Sequence, residues 1–274
     1  TLFIEQESET VYIKDRSSKS SSYEILHQGN QTLEQILAAI EDMNRLNLIA
    51  QSVTYYDGDA FEGLSFGQIG AYGVPVRSQN LILTTEILEE VWRNTDGTPA
   101  DLPPYLLPNQ TTNWSAEYPD RFKNNMPELA GYIYYDGTGE HAKGYWAESS
   151  SQFDFQTEET AKGLPLAQKD ALGRIASIAY DDYHFLPIKS IDPIGLSTRA
   201  EYDYRLLQAK LSIDPNENVS IVKFSPLGFV TETYLLGKEN IAEGDGLGRN
   251  DPNARAGSWN EYDWLSWMEN RIPI

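Results

Sequence analysis

Residues 192–214 read DPIGLSTRAEYDYRLLQAKLSID, and the aspartates at the two ends of this stretch mark a repeat. The positions that recur every 22 residues are Asp170, Asp192 and Asp214, the glycines Gly173 and Gly195, and the aromatic residues Tyr180, Tyr202 and Phe224. A fixed period of this length is typical of stacked repeat architectures, in which each unit buries its apolar face against its neighbours. The repeat therefore favours a scaffold or an enclosure over a compact enzyme.

Alternating side chains predict two strands in each unit, because half-buried strands repeat every second residue. One series is Thr198, Ala200 and Tyr202, and the next is Leu207, Ala209, Leu211 and Ile213. Adding 22 carries the second series onto Phe229, Thr231, Thr233 and Leu235, so this strand is predicted to recur. Asp-Pro pairs at residues 192–193 and 214–215 lie at the joints, where β-turns favour Asp first and Pro second. We predict a mainly β fold, an antiparallel meander of repeated hairpins.

The composition excludes several classes of protein. The 274 residues contain 41 Asp and Glu against 21 Lys and Arg, for a net charge of -20, and such a surface repels nucleic acids and anionic lipids. The chain has no cysteine, which excludes disulfides and thiolate chemistry. No apolar run approaches the roughly 18 residues that span a bilayer, so no direct membrane insertion is expected.

The residues before the repeat predict a mixture of strands and helices. The run Ser17–Ser22 predicts an exposed loop. Thr32 and Gln35 form a capping-box pattern at the start of a helix whose apolar stripe extends to Met43. A second helix is predicted from Thr84 or Thr85 to Trp92. Asp-Gly pairs at residues 57–58 and 136–137 predict turns at the ends of strands.

We divide the chain into three parts on these patterns. Residues 1–168 are a mixed lead-in, residues 169–238 hold the 22-residue repeats, and residues 239–274 are a linker followed by an aromatic-rich element that starts at Trp259. The proline-rich residues 102–108 predict an ordered loop or a boundary.

Two groups of motifs resemble a known family. Tyr180-Asp181 and Tyr202-Asp203 resemble the tyrosine–aspartate (YD) repeats of RHS proteins. Upstream, residues 55–64 (YYDGDAFEGL) resemble a motif in the B subunits of bacterial toxin complexes (Tc toxins) and in related SpvB-type insecticidal and virulence proteins. Residues 117–119 and 129–132 resemble the same proteins. The resemblance covers roughly residues 53–238, and the upstream motif selects the toxin branch.

This resemblance implies a non-catalytic structural role. Tc-B subunits contribute to a hollow β-shell that, with a C subunit, encloses a cytotoxic cargo, and they also join the pore-forming A subunit. The chain is therefore expected to be a middle part of the shell wall, with peripheral helices, in a secreted or released toxin component. The expected partners are a C subunit and, through regions outside this chain, an A subunit, and no cofactor is expected.

The sequence departs from the repeat at two places. Glu217 stands where the earlier units have Gly173 and Gly195, so we expect that turn to differ in shape. Phe224-Ser225 replaces Tyr-Asp in the third unit, which keeps the ring and loses the polar pair.

Other chemistry has weak support in the sequence. His27, His141 and His184 lack metal-ligand spacing, and we expect surface or turn positions for them. Asp181 with Asp182, or Glu117 with Asp120, are nominal carboxylate pairs for a hydrolase, but turn aspartates explain them better. Residues 245–251 are rich in oxygen ligands for calcium but lack the spacing of an EF-hand loop, and a linker is the preferred interpretation.

The alternative to a toxin wall is a YD-repeat surface adhesin or carbohydrate-binding module. Tyr180, Tyr202 and Phe224 would then form a platform on which sugars stack. Rings in step along one strand face are more often packing residues, so we prefer the core interpretation.

Overall fold

A computed structural model describes residues 1–8, 10–25, 29–41, 46–84, 86–87, 91–101, 132–157, 162–238, 255–263 and 265. These residues are mainly antiparallel β-strands with a single α-helix and one 3-10 turn, which confirms the predicted fold class at that level. They form two compact units, Thr1–Ile175 and Ala176–Ile274. The three-part division made from the sequence stays a prediction.

The first unit is built on strands that follow one another along the chain. Their bounds are β1 Leu2–Glu7, β2 Tyr12–Ile25, β3 Leu46–Tyr56, β4 Pro75–Thr84, β5 Ile133–Tyr135, β6 Gly144–Phe153 and β7 Pro165–Lys169. The order of neighbours is β1-β2-β3-β4-β6-β7, and β5 pairs with the first part of β6. Every one of these pairings is antiparallel.

The prediction of a loop at Ser17–Ser22 is wrong, because these serines lie inside the long strand β2. Ser20 and Ser21 pair with Ser52 and Gln51 of β3. The side chain of Gln51 donates a hydrogen bond of 2.9 Å to the Ser21 hydroxyl, and Ser18 is fully buried. Cross-strand polar pairs of this kind stabilise a strand that intrinsic propensity does not favour.

The first predicted helix is confirmed as α1, Leu33–Glu41. Its capping box is complete, since Thr32 N–H donates to the Gln35 side chain at 2.9 Å and Gln35 N–H donates to the Thr32 hydroxyl at 3.4 Å. Met43 and most of the second helix, residues 85 and 88–90, lie outside the described residues. So do residues 102–131, which include the Pro-rich segment and two of the motifs that resemble Tc-B subunits.

The core of the first unit lies on one face of β3, β4 and β6. Val53, Tyr55, Leu81 and Trp146 are buried together there, and Leu81 and Trp146 are opposite each other in the β4–β6 register. The loop after β3 adds Phe66, whose ring meets the Tyr55 ring edge-on at 6.4 Å. Burial of large rings supplies most of the free energy that holds such a sheet together.

The second unit is a meander, as predicted for the repeats. Its strands are β8 Ile175–Tyr180, β9 Pro187–Ile191, β10 Ser197–Asp203, β11 Gln208–Ile213, β12 Asn218–Phe224, β13 Val230–Lys238 and β14 Ser258–Trp259. Each strand pairs antiparallel with the next. The predicted linker at residues 242–252, Trp264 and Trp267 lie outside the described residues.

The 22-residue step predicts the wrong face for β13. Leu211 and Ile213 are buried as expected, but Leu236 joins them, whereas Leu235 is 79% exposed. The turn before β13 is one residue shorter than the turn before β11. The Ser225 N–H donates to the carbonyl of Phe229, four residues later, whereas Asp203 pairs with Gln208, five residues later. A one-residue change of register moves every side chain to the opposite face. Leu207, also predicted to point inward, is an exposed turn residue.

Candidate functional site

The repeated aspartates lead one kind of turn, in both units. At Asp170, Asp192 and Asp214 the backbone N–H donates to the carbonyl four residues later, at 2.9 to 3.0 Å. The carboxylate accepts the N–H groups two and four residues later, at 2.8 to 2.9 Å. For Asp214 the Asn218 side-chain amide, more than these backbone bonds, holds the carboxyl pKa below its usual value. These carboxylates therefore organise hairpins.

The expectation that the third turn differs in shape is wrong. Glu217 has a φ of 68°, close to the 74° of Gly173 and the 89° of Gly195, and its N–H bonds back to Asp214 in the same way. The hydrogen bonds of the Asp214 carboxylate therefore hold a non-glycine residue in the left-handed region. That conformation costs roughly 1–2 kcal/mol.

The aromatic repeat positions lie beside irregularities in the strands. Tyr180, Tyr202 and Phe224 are each half-buried, and each adjoins a shift in the pairing register. The Tyr202 hydroxyl donates a hydrogen bond of 2.8 Å to the carbonyl of Pro187. The rings therefore lie where the chain leaves the ladder and enters the following turn.

Sequence reasoning missed that the turn leaders recur every 11 residues. Asp181, Asp203 and Ser225 each stand 11 residues after an aspartate of the 22-residue series and lead the turns at the other ends of the strands. The Asp181 carboxylate accepts the backbone N–H groups of Phe185 and Leu186 at 2.7 and 3.1 Å. The signal was present, because each of these residues directly follows a repeat aromatic.

These second turns are linked to one another along one edge of the second unit. The Tyr204 hydroxyl donates a hydrogen bond of 2.7 Å to the Asp181 carboxylate, which is 6% exposed. The Arg205 guanidinium reaches the next turn and donates to the carbonyls of Ser225 and Pro226. Side chains thus connect neighbouring hairpins beyond the backbone ladder.

The motif at residues 55–64 folds around one buried carboxylate. Asp57 is 3% exposed and accepts backbone N–H groups from Gly70, Gly73 and Val74 at 2.7, 3.0 and 3.1 Å. A Cβ on Gly58 would lie 2.6 Å from the Leu64 nitrogen, so only glycine fits there. The motif therefore fixes a loop between β3 and β4.

The first unit has a cleft of about 610 Å³, which we call the Arg77 cleft. Its floor includes Arg77, Gln79 and Glu148, and Phe61 and Tyr135 border it. The Arg77 guanidinium stacks 3.8 Å from the centre of the Tyr55 ring and lies 3.3 Å from the Glu148 carboxylate. Gln79 also donates to Glu148, at 2.7 Å.

A buried histidine adjoins this cleft. His141 lies in a bend between β5 and β6, which agrees with a turn position, but it is only 5% exposed and is therefore not a surface residue. Its ring stacks on Tyr135 with the centroids 3.8 Å apart and meets Trp146 edge-on at 4.8 Å. Its Nε2 lies 2.5 Å from the Gln79 side-chain oxygen. His184 does occupy a turn, with a φ of 51°, and His27 lies outside the described residues.

Burial is the main influence on the titrating groups around His141. It lowers the pKa of His141, and the charges of Arg77 and Lys19 add to this shift, while Glu140 opposes it. Burial together with a hydrogen bond to Glu140 raises the pKa of the Tyr55 hydroxyl. The histidine is therefore held neutral inside a packed network.

Of the two predicted carboxylate pairs, the structure describes Asp181 with Asp182, which lies in a hairpin turn. Asp181 is bound to backbone N–H groups and Tyr204, as described above, and Asp182 beside it is exposed. Glu117 and Asp120 lie outside the described residues, as do residues 245–251 of the calcium hypothesis. Among the residues that the structure describes, no three His, Asp or Glu side chains cluster as metal ligands. None of the described helices is long and apolar enough to cross a membrane.

Comparisons with known proteins identify the fold. No protein-family model and no curated protein matches the sequence. Among solved structures, the chain is similar to a chain of the TcdB2-TccC3-TEV crystal structure, with a TM-score of 0.61, 18% identity and coverage of 100% of this chain. A chain of the TcdB2-TccC3 crystal structure gives a TM-score of 0.58, with 16% identity and coverage of 100% of this chain. A chain of the Photorhabdus luminescens Tc holotoxin pore gives a TM-score of 0.56, with 17% identity and coverage of 90% of this chain.

The chain spans only a small part of these relatives, 12% of the two TcdB2-TccC3 chains and 11% of the holotoxin chain. At identities this low, the structural similarity establishes a shared fold alone. That fold is the fold of a segment within toxin-complex proteins. The assembly of TcdB2 with TccC3 is a property of those proteins.

Proposed function

We propose that this chain is a non-catalytic wall segment of a Tc-B or SpvB-like toxin component and helps to enclose a protein cargo. The observation that carries the proposal is the match of 100% of the chain to a 12% segment of the TcdB2-TccC3 chains. The role of that region is carried over to this chain by analogy of fold.

The architecture supports a wall. In each unit, nearly every strand pairs with the strand that follows it in sequence, so backbone groups are satisfied between neighbours. The turn aspartates are used to close hairpins, and Tyr204 and Arg205 connect one hairpin to the next. These contacts give the turn aspartates a structural role, which supports the proposal.

The test is cargo protection by the full-length protein that carries these residues, co-expressed with a C subunit bearing its cargo. We expect the cargo to resist a protease that digests it when the C subunit is expressed alone. Equal digestion in the two samples would contradict the enclosing role. Turnover of chromogenic glycosides that is lost in Glu148→Gln would contradict the non-catalytic role, since Glu148 lies in the Arg77 cleft.

A further inference from the structure

The Arg77 cleft of the first unit is the size of a ligand site, which the wall role does not explain. Its volume of about 610 Å³ falls within the roughly 300–1,000 Å³ of sites that hold small ligands. The motif of residues 55–64 supplies one side of the cleft, since residues 61–64 all line it. Strands β4 to β7 supply other lining side chains, so a loop that the sequence singled out meets four strands at one concave surface.

Hydrogen bonds hold the charged side chains of this cleft in place. Arg77 Nε donates to the Glu62 carbonyl at 2.9 Å, and Arg77 Nη1 donates to Glu148 Oε2 at 3.3 Å. Gln79, which is 1% exposed, donates to the same carboxylate oxygen from behind at 2.7 Å. Side chains that are already fixed lose little conformational entropy on binding, which favours a ligand that fits them.

Part of the hydrogen-bonding capacity of the cleft is unused. Within the part of the chain that the structure describes, no hydrogen bond involves Arg77 Nη2, Glu148 Oε1 or Lys169 Nζ. The side chains of Arg77 and Glu148 are 25% and 20% exposed, and Lys169 is half-buried, so all three present surface to the cleft that they line. Two donor groups and one acceptor therefore remain for a ligand.

The mixture of charges in the cleft favours a neutral ligand. Two cations line it, Arg77 and Lys169, together with three carboxylates, Glu62, Glu148 and Asp170. An anion or a cation in this space meets repulsion as well as attraction. A hydroxyl group donates one hydrogen bond and accepts two, so it can bind a guanidinium and a carboxylate at the same time. A compound with several hydroxyl groups therefore matches the cleft better than an ion does.

Two aromatic rings add apolar surface to the cleft. Phe61 and Tyr135 both line it, and each is half-buried. His141 covers one face of the Tyr135 ring, and the Lys169 ammonium lies 5.3 Å from the centre of the Phe61 ring. Aromatic rings pack against the C–H groups of a sugar ring, while a few polar groups beside them bind its hydroxyls.

We propose that the Arg77 cleft binds a neutral pyranose sugar. The sugar hydroxyls bind Arg77, Lys169 and Glu148, and the C–H groups of the sugar ring pack on Phe61. This site is distinct from the platform of repeat aromatic residues considered from the sequence, because the described residues that line it all lie in the first unit. The proposal does not depend on the wall role, since it concerns binding by this chain alone.

Titrations followed by saturation-transfer NMR on the 274-residue chain test this binding. The probes are the methyl glycosides of glucose, galactose, mannose and N-acetylglucosamine, with methyl glucuronide and methyl glucosaminide as the anionic and cationic comparisons. We expect at least one neutral glycoside to bind, and to bind more tightly than either charged sugar. Phe61→Ala should weaken this binding by at least about fivefold. Phe3→Ala, at a ring of β1 that is 57% exposed and outside the cleft, is the matched control and should bind as the wild type does.

A variant that gains affinity separates binding from misfolding. Glu148→Gln removes a carboxylate that repels anions and keeps a side chain that forms hydrogen bonds, so it should tighten the binding of methyl glucuronide by about threefold. No binding of any neutral glycoside, tighter binding of a charged sugar by the wild type, or unchanged binding by Phe61→Ala would each overturn the proposal. An unchanged or weaker affinity of Glu148→Gln for methyl glucuronide would overturn it as well.

Discussion

The hydroxyl of Tyr204 lies 2.7 Å from the Asp181 carboxylate, which stands 23 residues earlier in the chain. This contact joins the tips of two neighbouring hairpins in the second unit. The hydrogen bond to Asp181, helped by burial, raises the pKa of Tyr204 to about 12. The pKa is thus higher in the folded state than the ordinary value of 10.0.

The Tyr204 bond predicts a loss of stability at alkaline pH. Its contribution is complete below pH 10 and disappears as the pH rises through about 12, because the unfolded state loses the proton first. Tyr204→Phe should lower the melting temperature at neutral pH and lose less stability than the wild type between these pH values. Thermal melts followed by circular dichroism measure both effects. Tyr12→Phe, at a ring that is 73% exposed, is the control and should follow the wild type.

We predict that removing the Asp57 carboxylate strongly lowers the free energy of unfolding. Asp57→Ala would leave three backbone N–H groups without their acceptor in a buried site and should cost about 3 kcal/mol of the free energy of unfolding. Urea unfolding is followed by the fluorescence of Trp146, in the same unit, in a background in which the other five tryptophans are replaced by phenylalanine. Asp59→Ala, at an exposed aspartate of the same loop, should cost little. Equal losses in the two variants would argue against the role given to Asp57.

Glu217 predicts a gain on substitution by glycine. Its φ of 68° is strained for a residue with a Cβ, so Glu217→Gly should raise the free energy of unfolding by about 0.5 kcal/mol after the entropy cost of glycine. The converse change Gly195→Ala should cost about 1 kcal/mol, since a Cβ there meets open space and only the backbone is strained. Chemical denaturation of both variants compares the two signs directly. Destabilisation by Glu217→Gly would contradict this account of the turn.

His141 predicts a loss of stability in acid. Because burial lowers the pKa of His141 below 6.5 in the folded state, the unfolded chain binds a proton at pH values at which the folded histidine stays neutral. The stability of the first unit should therefore fall as the pH drops below 6.5. His141→Gln should flatten this dependence, measured by urea unfolding at a series of pH values with Trp146 fluorescence in the same single-tryptophan background. His184→Gln, in the other unit, should keep the wild-type dependence, and the same slope in all three proteins would refute the prediction.

The sequence was informative wherever one local rule acted alone. The Thr32–Gln35 capping box and the Asp-Pro turns depend on a few adjacent residues, and the structure places a helix and hairpins there. The 22-residue period likewise revealed the meander, because a hairpin repeat must restart at the same turn.

The failures came from contacts between distant residues. Ser20 and Ser21 form a strand because β3 presents partners for them, which composition alone does not reveal. Leu235 faces solvent because one turn is a residue shorter, a change too small to disturb the period. The burial of His141 depends in part on Gln79, which is 62 residues away in sequence.

Cryo-electron microscopy of the full-length protein that carries these residues, mixed with a Tc C subunit, is the most direct test of the proposed wall role. We expect residues 2–238 to lie in the wall of a closed shell, with further strands of the full-length chain continuing the sheet on both sides. A map in which these residues form a separate domain outside any shell, or in which no shell exists, would contradict it.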